Sequence, residues 1–158
     1  MNTKIKLPRL HGTPKQIEWA EKLRAEVLAY VLENRAEIVA RIRALSAEFH
    51  DFRVNNIIAR VKDETARKRK LEKEAQRYED RLTTDVFGDI IKTIQGQPFA
   101  ASWIYHFRAE KITIDKAVKM QSSDALDLPK TRADYEAENA ISRMEAAKIR
   151  IRDGSAWR

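Results

Sequence analysis

With only 4 glycines and 4 prolines among 158 residues, this chain has few places at which a helix is forced to end. The most explicit start signal is Thr13-Pro14-Lys15-Gln16. Thr13 has an N-capping side chain, Pro14 stands where no amide proton is needed, and Gln16 can reach back to close a capping box. From there Ile17, Ala20, Leu23, Val27, Tyr30, Val31, Ile38 and Ile42 recur mostly at three- and four-residue spacing, the stripe of an amphipathic helix. Glu18, Lys22, Arg24, Glu26, Glu33 and Glu37 are assigned to the opposite face. Asn34 interrupts the stripe, and the pattern favours a break or bend at Glu33-Asn34-Arg35 over one helix running on to about Ala47.

A second apolar cluster, Phe49, Phe52, Val54, Ile57, Ile58 and Val61, precedes a stretch from Arg60 to Arg81 in which Lys and Arg alternate with Asp and Glu. Leu71, Ala75, Tyr78 and Leu82 are its apolar seam, so this helix is expected to face solvent on most sides. Thr84 or Asp85 can cap a short helix over 84–95, and Gly96 reads as a left-handed stop. Pro98 opens another helix with Phe99, Trp103, Ile104 and Phe107 on one side, while Ile112-Thr113-Ile114 fits either a brief extended piece or a further turn. Gln121 to Lys130 has linker chemistry, and Ala137, Ile141, Met144, Ala147, Lys148 and Ile151 outline a last amphipathic helix. The expected fold is all-α, a compact multi-helix bundle with a basic N-terminal arm and a C-terminal amphipathic helix. Its expected divisions are a flexible arm over 1–12, a helical core over 13–120, a linker over 121–130, and a helix and tail over 131–158.

Charge and residue types narrow the function classes. The 31 Lys and Arg against 24 Asp and Glu give a formal charge of +7, which attracts anionic partners and argues against mimicry of DNA. The absence of cysteine excludes disulfides and thiolate metal sites. No apolar stretch approaches a bilayer span and the N-terminus lacks a signal-peptide core, so a cytoplasmic protein without a membrane partner is expected. His11, His50 and His106 are dispersed, and His50 and Asp51 are helix neighbours whose side chains point apart. There is no phosphate-binding glycine loop, zinc helix, nucleophile elbow or calcium loop. The expectation is a protein that is not an enzyme and that uses no metal and no cofactor.

The candidate binding residues are two cationic groups. Arg60, Lys62, Arg67, Lys68, Arg69, Lys70, Lys73 and Arg77 form one, and Arg143, Lys148, Arg150 and Arg152 the other. Clustered cations displace counterions from phosphates, and helices can lay them along a groove; a mixed-charge solvated helix accounts for the same residues. Trp103, between Phe99 and Phe107, reads as core, whereas Trp19 lies to the side of its stripe and either packs against a second helix or sits partly exposed.

Leu10 to Arg24 resembles an opening found in small, largely uncharacterised proteins of phages and mobile elements, L-x-G-[ST]-x-K-Q-x-x-W-A-E-x-[IL]-R. Ala100 to Arg108 resembles a second segment of those proteins, S-A-x-W-W-I-D-N-R, keeping Ala101, Trp103 and Arg108. The resemblance implies a genomic setting rather than an activity. In that setting the expected function is a non-enzymatic helical protein that docks on a host nucleoprotein target, such as a CRISPR-type effector, as an anti-defence inhibitor. The alternatives are a DNA- or RNA-binding accessory protein of the element, and a self-associating helical protein that pairs copies of itself. Physically, the first motif reads as structural, with Gly12 allowing a sharp helix entry and Trp19 packing on the Trp103 segment.

Overall fold

The structure is a computed structural model, and it describes residues 4–129 together with 140, 143–145 and 147. The chain divides into two units, 1–127 and 128–158. The first is an all-α bundle of six helices: α1 (Pro14–Glu33), α2 (Arg35–Arg60), α3 (Glu64–Thr83), α4 (Val86–Gln95), α5 (Ala100–Phe107) and α6 (Ile114–Lys119). In the second unit Ala140, Arg143, Met144, Glu145 and Ala147 are helical. The other residues of the expected C-terminal helix lie outside the described residues.

Each boundary has a chemical cause. Thr13 Oγ1 accepts from the Gln16 amide at 3.3 Å while Gln16 Oε1 accepts from the Thr13 amide at 3.0 Å, the expected capping box. At Asn34 the backbone turns to φ −102° and ψ 19°, and both its amide and its side chain bond Tyr30 O at 2.9 Å. The expected bend therefore separates α1 from α2 with little loss of hydrogen bonds. Asp63 caps α3 through the Ala66 amide, and Asp85 caps α4 through the Gly88 amide. Thr113 accepts from the Lys116 amide, so Ile114 begins a helix rather than a strand. Gly96 ends α4 at φ −84°, in the right-handed region, contrary to the left-handed stop expected of it.

The core is made by α1 against α5 and by the first half of α2 against α4 and α6. Ala20, Val27, Val31, Ile38, Ile42, Ile90, Ile94, Trp103, Ala117 and Met120 are buried there. Trp103 is fully buried and its indole Nε1 donates to Gln97 O at 3.0 Å, which satisfies the one polar atom the ring brings inside. Arg24, expected on the solvated face, is buried instead, its Nη1 donating to Pro8 O at 2.7 Å. Phe99, expected beside Trp103 in the core, is exposed because it occupies the N-cap of α5 rather than its buried stripe.

Over its described part the arm packs on the bundle. Leu10 is buried, His11 N donates to Pro98 O at 2.8 Å, and Ala100 N donates to His11 O at 2.9 Å. This pairing brings the two motif segments together. Gly12, at φ 156°, lies so close to α5 that an added Cβ would stand 3.1 Å from Ala100 Cβ. Trp19, read either as packing on this contact or as partly exposed, is 48% exposed. The stretch 121–127 is likewise held, with Leu126 buried and its carbonyl accepting from Gln97 Nε2 at 3.1 Å.

Candidate nucleic-acid interface

Beyond Ile42, no residue of α2 is fully buried, yet the helix continues for 18 more residues to Arg60 and returns through Val61-Lys62-Asp63 into α3. The two helices pack on one another as an antiparallel hairpin. Phe49, Phe52 and Ile58, read from the sequence as part of an apolar cluster, are exposed on it. Along the hairpin the half-buried residues of α2 include His50, Val54, Ile57 and, just past its end, Val61; those of α3 include Arg67, Leu71, Tyr78 and Arg81, with Glu74 fully buried and Ala66 and Arg77 half-buried at the flank. Both sets follow alternating four- and three-residue steps, the seam of a short antiparallel coiled coil. Ala75 and Leu82, expected in that seam, are exposed, and Glu74 and Arg81 take their places.

Glu74 is the only fully buried residue of α3, 4% exposed, and it is held by three cationic or hydrogen-bonding partners. Arg77 donates to it twice, Nε to Oε2 at 2.9 Å and Nη2 to Oε1 at 2.6 Å. His50 Nδ1 lies 3.2 Å from Oε1, and Arg53 Nη1 3.5 Å from Oε2. The Arg77 hydrogen bonds hold the Glu74 carboxyl down at about 2 against the upward push of burial, and His50 and Arg53 add to the lowering. The His50 ring stacks on Tyr78 with centroids 4.3 Å apart. The guanidiniums of Arg53 and Arg77 lie over the Phe49 ring, at 4.8 and 5.4 Å from its centroid.

These contacts fix which flanks of the two helices share a face. Phe49, Arg53, Asn56 and Arg60 follow one another at helical spacing along α2, and Lys70, Lys73 and Arg77 do so along α3, with Arg69 at the outer edge. Arg53 and Arg77 meet over Phe49, so the two rows lie on one face of the hairpin. Asp80, bound to Gln76 at 2.9 Å, is the acid on that side. The other flanks carry Glu48, Asp51 and Ile58 on α2 and Lys68, Glu72, Ala75, Glu79 and Leu82 on α3. A helix of mixed composition thus becomes a hairpin with a basic face and a more acidic one.

The sequence-derived site residues divide accordingly. Arg60, Arg69, Lys70, Lys73 and Arg77 share the basic face; Lys62 lies in the exposed turn at the tip; Arg67 is half-buried in the seam; Lys68 is on the opposite flank. Arg143 is an exposed helical residue of the second unit, and Lys148, Arg150 and Arg152 lie outside the described residues. The sequence marks Phe49 only as a member of an apolar cluster and does not mark Arg53, Asn56 or Arg81 as binding residues, because nothing in their neighbourhood reveals which flanks of α2 and α3 meet.

Elsewhere the histidines serve the fold: His11 packs near Phe99, and His106 Nε2 stands 2.8 Å from Asp127 O. Among the described residues there is no group of three His, Asp or Glu side chains placed to hold a metal ion, and no helix long and apolar enough to cross a membrane. Comparison with protein-family models, with curated proteins and with solved structures finds no match to this chain.

Proposed function

We propose that this chain is a non-enzymatic helical protein that docks on nucleic acid, alone or within a host nucleoprotein complex, through the basic face of the α2–α3 hairpin. The observation that carries this reading is the segregation of charge. Arg53, Arg60, Arg69, Lys70, Lys73 and Arg77 occupy one face of a hairpin, with Asp80 the one acid beside them, and the other flank holds Glu48, Asp51, Glu72 and Glu79 with Lys68. A helix merely kept in solution by its charges needs no such sorting, whereas a phosphate backbone rewards cations on one side and is repelled by acids there. Consecutive cations on α3 rise by roughly 4.5–6 Å along the axis, close to the spacing of phosphates along an extended strand.

The resemblance of Leu10 to Arg24 to an opening of phage and mobile-element proteins supports a setting in which the nucleic acid belongs to a host defence complex or to the element itself. The test is binding of fluorescent single-stranded and duplex oligonucleotides across a salt series. Affinity is expected to fall steeply with salt, and the double reversal Lys70→Glu/Lys73→Glu to flatten the log–log slope by about 1–2 while leaving the helical circular dichroism unchanged. Binding indifferent both to salt and to this double reversal would sink the proposal.

A further inference from the structure

At the base of the basic face, where α2, α3 and the turn after α6 meet, lies an open cleft of about 420 Å³. Its apolar wall is Ile42, Leu45 and Phe49, and its polar rim includes Arg77, Arg81 and Gln121. The rim is tied together: the Arg81 guanidinium donates to Gln121 Oε1, and Gln121 Nε2 donates to Val118 O at 2.9 Å. Phe49 is 48% exposed, and the guanidiniums of Arg53 and Arg77 lie over its ring, so a base that stacks there displaces a guanidinium that shares its face. Phe52, 66% exposed, stands three residues further along the same helix.

Resting on the reading above, we infer that this cleft takes an unpaired base of a single strand, stacked on Phe49, while Lys70 and Lys73 hold the neighbouring phosphates. Three features favour an unpaired base over duplex. First, a ring at the foot of a cationic track is the combination that single-strand binders use, since every base offers a π-face and only an unpaired one can present it. Second, the cleft sets one apolar wall opposite four polar residues, Ser46, Arg77, Arg81 and Gln121, so a flat heterocycle can lie on the wall with its polar edge at the rim. Third, the basic face spans two helices side by side, roughly 20 Å across, and so does not enter a major groove of about 12 Å face-on. Arg77 serves both parts, because its bonds to Glu74 place its guanidinium beside the ring and at the cleft rim.

The experiment compares a fluorescent dT20 strand, the corresponding duplex and free dTMP, with the full chain and with Phe49→Ala, Phe49→Trp and Lys70→Glu/Lys73→Glu. The strand is expected to bind at least about ten-fold tighter than the duplex at equal salt. Phe49→Ala is expected to cost roughly ten-fold on the strand and nothing on the duplex. Phe49→Trp is expected to restore strand binding and to show fluorescence quenched by dT20 but not by duplex. Equal affinity for strand and duplex, or strand binding indifferent to Phe49→Ala, overturns the base site while leaving the phosphate-binding face standing. Saturation of the cleft by free dTMP at strand-like affinity overturns it in favour of a nucleotide site. Absence of salt-dependent binding to either polymer overturns both readings.

Discussion

His50 Nδ1 and Glu74 Oε1 stand 3.2 Å apart across the α2–α3 seam, although 24 residues separate them in the chain. With its carboxyl held at about 2, Glu74 is ionised at neutral pH and can only accept, so the proton of this bond sits on Nδ1 of the histidine. Arg77 and Arg53 complete the shell around the carboxylate. A seam that would ordinarily be closed by leucines is here closed by a polar knot, which fixes the register of the hairpin and aims two guanidiniums at Phe49.

Removing the charge from this knot separates register from stability. Glu74→Gln leaves two guanidiniums and an imidazole around a neutral amide, and is expected to cost about 2 kcal/mol. That is less than the roughly 3–5 kcal/mol of a fully buried pair, because Arg53 and Arg77 can turn to water. Glu74→Leu, which puts an apolar side chain in the seam beside His50, is expected to recover most of the stability. In both variants Arg77 is released from its place over Phe49. Urea unfolding reads the stability, and a Glu74→Gln variant as stable as the parent would show that the knot contributes nothing.

The same carboxylate sets an acid limit. Its pKa lies below the ordinary value in the folded chain, so its contribution is complete above about 4.5 and is lost as pH falls through about 2. On the order of 2 kcal/mol of stability should disappear across that interval, on top of whatever other carboxylates contribute. In Glu74→Gln the decline between pH 4.5 and 2 should be correspondingly shallower. Parallel curves for the two proteins would refute the assignment.

How much of this was legible depended on whether apolar residues or polar ones occupied the buried positions. The α1 stripe, the Thr13 cap, the bend at Asn34 and the burial of Trp103 follow from apolar spacing and capping chemistry, and the structure agrees with each. The hairpin seam was misread because two of its positions on α3 are Glu74 and Arg81, while the apolar Ala75 and Leu82 point to water. With two of the four seam positions shifted by one residue, the flank that carries Lys70, Lys73 and Arg77 is not set apart, and the sorting of cations from acids disappears into an alternating string. The exposed Phe49 and Phe52 were hidden for the related reason that aromatic residues in a helical run ordinarily signal core.

The two tryptophans shared with the motif should behave very differently. Trp103 fills the space between α5 and its neighbours and bonds Gln97 O, so Trp103→Ala is expected to cost about 3–5 kcal/mol. Trp19 is half exposed, and Trp19→Ala should cost less than about 1 kcal/mol. Thermal unfolding distinguishes them, and comparable losses at the two positions would mean that Trp19 packs where it is here exposed.

Gly12 lies where the two motif segments pack against each other. A methyl group there would stand 3.0 Å from Gln16 Oε1 and 3.1 Å from Ala100 Cβ, at a backbone φ of 156°. Gly12→Ala should therefore strain the capping box and the seating of α5 together, at a cost of about 1–3 kcal/mol. Thr13→Ala, which loses only the cap, should cost about 1 kcal/mol. If Gly12→Ala were as stable as the parent by thermal unfolding, the glycine would not be explained by this approach.

Lys68 and Lys73 offer the sharpest comparison for binding, because composition treats them alike and geometry does not. Both are exposed lysines on α3, five residues apart, and neither is among the ion pairs of the described residues. Lys73 lies with Lys70 and Arg77 on the basic face, whereas Lys68 shares its flank with Glu72 and Glu79. Lys73→Glu should weaken oligonucleotide binding and reduce its salt dependence by about one phosphate contact, while Lys68→Glu should change either by little. The two substitutions alter net charge equally, so long-range attraction falls alike in both and the difference between them isolates position. Equal weakening would mean that overall charge, and not the face, drives the association.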